Sequence, residues 1–402
     1  MVRHNGSTEQ LMPGRVRLLA VIDDLDVGGT LEVVLSQLTA LDPERFEVGL
    51  LTLSDDVERI ADRDLPEHLE VLGVPYRHDF GYGVVDYLRD GFFLRSAKAA
   101  GEPALRAISA FRPDILHFNT HPRNLGLGIL AARSAALTLV FTDHVVRIRE
   151  SDYSARARAL LRMAYRRLYR PYHVVCVGPN VEAVNRASGF LAADRRHLLL
   201  ENQIDIQRFH PPHDDDREAR DGNTPTVINV ARILPVKAPD VLIEAFGRLG
   251  DVGAARLALV GPDGMDGAMQ KLAADRVHAP RAVDFPGARK DVPDLLRAAA
   301  IGAMPSRREG LPLALLEMMA SGLPVVVSDI PELTLVVTDE HDGLVVPVDD
   351  PDALATALTR LLNEPALRQR LGDEARRTAE RRMSVDSVSV LETFYEEALS
   401  HG

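Results

Sequence analysis

Short apolar runs alternate with amphipathic segments along this chain, and the alternation starts afresh past its midpoint. The runs at 15–22, 46–53, 114–118, 136–142 and 173–177 read as strands. Several are apolar at consecutive positions, the mark of strands covered on both faces. Between them lie helical patterns such as 29–41 and 123–133. Strand and helix in strict alternation make a parallel sheet with helices on both sides, an α/β architecture.

The stretch 208–224 carries Pro211, Pro212, three consecutive aspartates and Gly222, and reads as an exposed linker. Strands then return at 226–231, 256–261, 282–285, 300–305 and 324–328. The helix at 238–249 has Pro239 in its first turn and sets Leu242, Ala245, Phe246 and Leu249 on one face. A final helix, 384–400, aligns Val388, Leu391, Phe394, Tyr395 and Ala398 on a stripe that must be buried. With 402 residues, the expectation is two domains. They are placed at 15–203, joined by the helix 384–402, and at 204–383. Residues 1–14 are expected to be a loose tail, since they lack the apolar stretch of a signal peptide.

Composition excludes several classes. A formal net charge of -12 argues against a general nucleic-acid binder. No run of about 18 apolar residues is present to span a membrane. The one cysteine, Cys176, sits in the apolar run Val174-Val175-Cys176-Val177 and reads as a small buried hydrophobe. A lone thiol suits a reducing, cytoplasmic setting.

The chemistry concentrates in Met304-Pro305-Ser306-Arg307-Arg308-Glu309-Gly310-Leu311-Pro312, which continues through Glu317 and Ala320-Ser321-Gly322-Leu323-Pro324-Val325-Val326. A strand ends at Pro305, Pro312 opens a helix, and Gly322 closes it. The amides of Gly310 and Leu311 near the helix start suit an anion, and Gly310 leaves room for a phosphate. Glu317 lies among Leu315, Leu316, Met318 and Met319, where a carboxylate needs a partner such as sugar or ribose hydroxyls, or a local salt bridge. A second signal is Asn229-Val230-Ala231-Arg232-Ile233-Leu234-Pro235-Val236-Lys237-Ala238. It carries two cations on one loop, able to stabilise charge that grows on a departing diphosphate, unless they are simply solvated. A third is the Gly28-Gly29 turn after the first strand, whose amides can face an anion.

These segments, in this order, resemble glycosyltransferase family 4, retaining enzymes of the GT-B fold. The E-x7-E spacing of Glu309 and Glu317 carries the resemblance, with the flanking Pro-Ser, Glu-Gly-Leu-Pro and Ala-x-Gly-x-Pro-Val-Val. Asn202-Gln203-Ile204-Asp205 with Phe209, Leu259-Val260-Gly261-Pro262-Asp263-Gly264 and Phe285-Pro286-Gly287 support it. The resemblance implies two Rossmann-like domains facing a central cleft, with the C-terminal helix crossing back to the first domain. It assigns Glu309 to the donor sugar's hydroxyls and Glu317 to the ribose. Arg232 and Lys237 fall to the leaving diphosphate, and Gly28, Gly29, Gly261, Gly310 and Leu311 to donor contacts. The family's Lys is usually followed by Gly; here Ala238 stands there, which should shift the loop slightly. Because the cation pair replaces a metal in the family, no divalent ion and no other cofactor is expected.

His117, His121 and His144 lie at strand ends, beside Asn119. The family often has a histidine near the donor sugar at such a place. His121 is preferred as catalytic, His144 and Asn119 as acceptor or sugar contacts, and His117 is expected to point into the fold; each histidine is otherwise structural. The segment 154–170 has six arginines, no acid, and interleaved apolar residues. It reads as an arginine-rich helix packed by its apolar side, with peripheral contact to an anionic inner-membrane surface as the functional alternative. The expected function is hexosyl or N-acetylhexosaminyl transfer, with retention, from a nucleotide-sugar to an unidentified acceptor. A UDP-sugar stands ahead of GDP-mannose as donor. The alternatives are a nucleotide-sugar 2-epimerase of the same fold and a non-catalytic nucleotide-sugar binder.

Overall fold

The computed structural model describes residues 14–22, 29–53, 69–74, 101–144, 154–212, 224–310 and 313–401. The chain divides into two compact units. One is Met1–Asn202 with Asp386–Gly402; the other is Gln203–Val385. Gly28, Leu311 and Pro312, singled out above, lie outside the described residues, as do 1–13 of the tail.

The first unit is built on a seven-stranded, all-parallel sheet. Its strands are β1 (Val16–Ile22), β2 (Phe46–Thr52), β3 (Glu70–Gly73), β4 (Ile115–Asn119), β5 (Thr138–Asp143), β6 (His173–Cys176) and β7 (His197–Leu199). They run in the order β3-β2-β1-β4-β5-β6-β7. The helices described are α1 (Gly29–Ala40), α2 (Glu102–Phe111), α3 (Leu125–Ala131), α4 (Ala155–Tyr169) and α5 (Pro179–Ser188). Chain order reverses at β1 and β4, the topological switch where open α/β sheets place ligands beyond the strand carboxyl ends.

The second unit has a six-stranded parallel sheet in the order β10-β9-β8-β11-β12-β13. Its strands are β8 (Thr226–Val230), β9 (Arg256–Val260), β10 (Ala282–Gly287), β11 (Ile301–Met304), β12 (Val325–Ser328) and β13 (Leu344–Val346). Its helices are α6 (Pro239–Gly247), α7 (Ala268–Arg276), α8 (Val292–Ala298), α9 (Leu313–Ala320), α10 (Pro331–Thr334), α11 (Pro351–Asn363) and α12 (Pro365–Arg382). Apolar clusters cover both faces of this sheet. One gathers Leu242, Phe246, Leu257 and Leu358; the other gathers Leu315, Met318, Val327 and Ala375. Each buried Leu, Met or Phe contributes about 2 kcal/mol, which is why these strands read as continuous apolar runs.

The last helix, α13 (Ser387–Ser400), belongs to the first unit. Leu391, Phe394 and Tyr395 join Leu18, Ala20, Phe46 and Ile115 in one cluster. The buried carboxylate of Glu392 accepts from Asp42 N at 2.8 Å and from the Arg45 guanidinium. The helix begins at Ser387, not at 384 as its apolar period suggests. Asp386 caps it, accepting from Ser389 N at 3.1 Å.

Two other expectations need correction. The helix expected at 123–133 is α3, preceded by a 3₁₀ turn at Pro122–Asn124. The start of the expected linker is packed rather than exposed after Arg208: Phe209 is buried in the core of the second unit, Pro211 lies against Gly322, and Pro212 is buried. Arg376 holds this stretch, donating to Phe209 O at 2.8 Å and Ala320 O at 2.7 Å. Two prolines and a charge run mark exposure only when no aromatic beside them can find a core; Phe209 finds one. The rest of that stretch, 213–223, lies outside the described residues.

Candidate active site

In the second unit, β8 and β11 are neighbours, and the loops leaving their carboxyl ends carry Arg232 with Lys237 and Ser306 with Glu309. The β8 loop is built on backbone. Ala231 N donates to Val260 O at 2.9 Å, Ile233 N to Pro262 O at 2.9 Å, and Gly264 N to Ile233 O at 3.1 Å. Gly261, at φ +150°, makes this possible. A Cβ there would sit 2.0 Å from Ala231 O and 3.2 Å from Arg232 N, a backbone approach only glycine permits. Gly261 therefore sets the path of the peptide that carries Arg232, whether or not it also touches a ligand.

The loop ends in a 3₁₀ turn, Pro235–Lys237, and then Ala238 in the left-handed region (φ 51°, ψ 45°) as the residue before α6. Alanine here takes a conformation that glycine adopts at least cost. The strain is about 1–2 kcal/mol, set against a methyl that is fully buried.

Arg307 joins the two loops. Its amide donates to Val236 O at 2.9 Å, and its guanidinium donates to Pro235 O, to both Asp240 oxygens (3.0 and 2.7 Å) and to Asp349 Oδ1 at 2.6 Å. With the loops tied, Lys237 Nζ meets Glu309 Oε2 at 2.6 Å. The other carboxylate oxygen, Oε1, accepts from Ser306 Oγ at 2.6 Å. Ser328 Oγ donates to Ser306 O, tying the loop to the end of β12.

The Glu309 side chain is 4% exposed and that of Lys237 is 26% exposed. A buried carboxylate is tolerated because both its oxygens are bonded. The half-buried ammonium has three N–H donors, so beside Glu309 it can serve a second anion. Arg232, on the same loop, is exposed and has no partner among the described residues. Glu317 lies in α9, half-buried between the fully buried pairs Leu315–Leu316 and Met318–Met319. The structure thus brings together Lys237, Glu309 and Ser306, and separately Arg232 and Gly261. Gly310 follows Glu309 on the same loop, half-buried, and Gly29 opens α1. A shallow hollow of about 420 Å³ at the ends of β12 and β13, lined by Asp329, Thr334 and Asp339, contains none of these residues.

His117, His121, His144 and Asn119 belong to the first unit. His117 is buried, as expected. Its Nδ1 meets Tyr395 Oη at 2.7 Å and its Nε2 meets Thr142 Oγ1 at 2.7 Å, so it fastens α13 to the sheet. Burial first, and then the nearby His144, lower its pKa to about 3. His121 and His144 are both half-buried. Asn119 is buried at the end of β4, and its Oδ1 has no hydrogen-bond partner among the described residues. Thr52 Oγ1, buried at the end of β2, is in the same condition. Both residues pair in register with Ile22 of β1, so two polar groups without a partner among the described residues flank one strand end at the switch point. Sequence reading missed Thr52, whose signal is a hydroxyl interrupting Leu50-Leu51-Thr52-Leu53 at a strand end. It also gave no role to Ser306, although it lies three residues before Glu309. Cys176 is buried, and burial first, then Asp143, push its thiol pKa up to about 12. It is a packing residue.

Two units, each built on a parallel α/β sheet, are the architecture of GT-B glycosyltransferases. Solved structures share it: sucrose-phosphate synthase from Thermosynechococcus elongatus (TM-score 0.73, 19% identity, 96% of this chain and 100% of that one) and Anabaena Alr3699/HepE in complex with UDP and glucose (TM-score 0.75, 18% identity, the same coverage). Residues 28–199 match the family described as Glycosyl transferase 4-like domain, and residues 212–378 the family described as Glycosyl transferases group 1. The chain belongs to the group 1 glycosyltransferases, with a first domain of the 4-like type. Among curated relatives, a D-inositol 3-phosphate glycosyltransferase of Streptomyces bingchenggensis is 35% identical over 44% of this chain and 42% of its own length. One from Saccharomonospora viridis is 31% identical over 56% and 55%. The match thus spans about half the length of these relatives.

Proposed function

We propose that this protein transfers a hexosyl or N-acetylhexosaminyl group from a nucleotide-sugar to an acceptor hydroxyl with retention of anomeric configuration. A UDP-sugar is the first donor to test and GDP-mannose the second. One observation carries the reading: Lys237 and Glu309, from loops on adjacent strand ends, meet at 2.6 Å while the ammonium stays half open. A cation locked beside a sugar-binding carboxylate suits a diphosphate leaving from C1. The ammonium gains a stronger partner as negative charge builds on the phosphate, which favours the transition state over the ground state.

In this reading Arg232 holds the diphosphate with Lys237, and Gly310 and Leu311 offer amides to it. Glu309 accepts from the donor sugar's hydroxyls and Glu317 from the ribose. Asn119, His121 and His144 of the first unit serve the acceptor or the reacting sugar. The UDP and glucose named with the Anabaena structure support a UDP-sugar, and the relatives' names make a phosphorylated polyol a sensible first acceptor. With two fixed cations on the diphosphate, transfer proceeds without a divalent metal. The test incubates purified protein with each donor and an acceptor panel, with and without EDTA, and reads nucleoside diphosphate release and the product's anomeric proton coupling. Release that requires an acceptor, with retained configuration and no effect of EDTA, supports the reading. Inversion, or epimerised sugar released from donor alone, overturns it.

A further inference from the structure

We propose that the outer face of α4 docks the protein on an anionic lipid bilayer. Sequence pattern alone cannot separate a helix that packs its apolar side from one that offers it; the structure separates them. Leu161, Ala164, Tyr165, Leu168 and Tyr169 are buried against the first unit. Tyr169 Oη donates to Asp143 Oδ2 at 3.0 Å, and Arg166 Nε donates to Ser188 O at 2.6 Å. Ser154 caps the N-terminus. The helix is therefore fixed, and its inner face is used up.

Its outer face is Arg156, Leu160, Met163, Arg167 and Arg170, all exposed, with Leu160 at 39% and Met163 at 49%. Steps of four, three, four and three residues keep the five within about 40° of one line, about 21 Å long. Two apolar side chains stand at the centre and arginines at both ends, with no acid anywhere in the helix. The rest of the chain is acidic, with a net charge of -12 overall, so this basic face is a local exception. Arg156 and Arg170 form no ion pair with a described residue. A lipid surface matches the order of the stripe: Leu160 and Met163 enter between headgroups while the guanidiniums grip the phosphates beside them. A soluble acidic polymer would engage the arginines but leave the apolar pair in water. Each arginine near such a surface strengthens partition about fivefold (about 1 kcal/mol).

The test is co-sedimentation of the full chain with vesicles of phosphatidylglycerol and phosphatidylcholine, against phosphatidylcholine alone. It needs neither donor nor acceptor, so its outcome is independent of the transfer reaction. The expected result is binding only to the anionic vesicles, weakening as salt rises from about 0.05 to 0.5 M. Replacing Arg156, Arg167 and Arg170 together by Gln should reduce partition on the order of 100-fold. Leu160→Ser with Met163→Ser should reduce it by about tenfold at unchanged charge. These positions are exposed, so the variants should fold; unchanged circular dichroism and melting confirm it. The proposal fails if the intact chain stays in the supernatant with anionic vesicles, or binds neutral vesicles equally. It also fails if the Ser variant binds as the parent does, which would assign the face to an acidic polymer such as dextran sulfate. A dimer in light scattering that Met163→Ser dissolves would assign the face to a second copy and likewise overturn it.

Discussion

Replacing Gly261 by Ala tests whether the β8 loop is shaped by backbone contact. The added Cβ would lie 2.0 Å from Ala231 O, while ordinary contact begins at 3.4 Å, so the two segments must part by about 1.4 Å. A φ of +150° adds strain of about 1–3 kcal/mol for any L side chain. Parting the segments weakens the bonds from Ala231 N to Val260 O and from Ile233 N to Pro262 O, at about 1 kcal/mol each. The sum is about 3–5 kcal/mol, which for a unit of this size lowers Tm by about 10 °C. The movement falls on the peptide that leads into Arg232, and a shift of about 1 Å in a positioning group can cost about 100-fold in turnover. Gly253→Ala is the control: its φ of 68° is also left-handed, but nothing lies within 4 Å. It should cost about 1 kcal/mol and leave turnover unchanged. Calorimetric melting and a diphosphate-release assay read both effects. A Gly261→Ala protein that melts within about 1 °C of the parent and turns over normally would refute the reasoning.

Lys237→Ala should lower kcat by about 100- to 1000-fold while donor affinity, followed by calorimetric titration, changes much less; equal losses in both would mean that Lys237 merely binds. Ser306→Ala removes one of the two bonds that fix Glu309, and should lower kcat by about tenfold with partial rescue by Thr; an Ala variant indistinguishable from the parent would show that the carboxylate needs no such support. Stability should fall on acidification because of His117. Its native pKa is lowered to about 3 while the unfolded residue titrates near 6.5, so the unfolded state binds the extra proton between these values. The contribution of His117 is whole above about pH 6.5. It is lost toward pH 3 at up to about 1.4 kcal/mol per pH unit, and His173, lowered to about 4 chiefly by burial, adds to the slope. Denaturant titrations across this range should show a shallower slope for His117→Gln, and an identical slope would remove His117 from the account.

The sheet-and-helix alternation was legible because central parallel strands are buried on both faces and announce themselves as apolar runs. Three short strands were not. Glu70–Gly73, His197–Leu199 and Leu344–Val346 are three or four residues long and lie at sheet edges, where one side lacks a neighbour and the pattern is weak. The cation pair and the two glutamates were legible as motifs, because their chemistry needs fixed residue types at fixed spacing. The Arg307 clamp was not, because Asp240 and Asp349 come from distant segments. Nor was the left-handed conformation of Ala238 legible, a balance of strain against a buried methyl that no spacing reveals. The burial of the Thr52 hydroxyl without a partner among the described residues was equally hidden, since satisfaction depends on neighbours across strands.

A crystal structure of the protein soaked with UDP-glucose tests the central claim most directly. The account predicts the diphosphate against Arg232 and Lys237, sugar hydroxyls at Glu309, and ribose at Glu317. A nucleotide-sugar bound elsewhere, with the Lys237–Glu309 pair untouched, would contradict it.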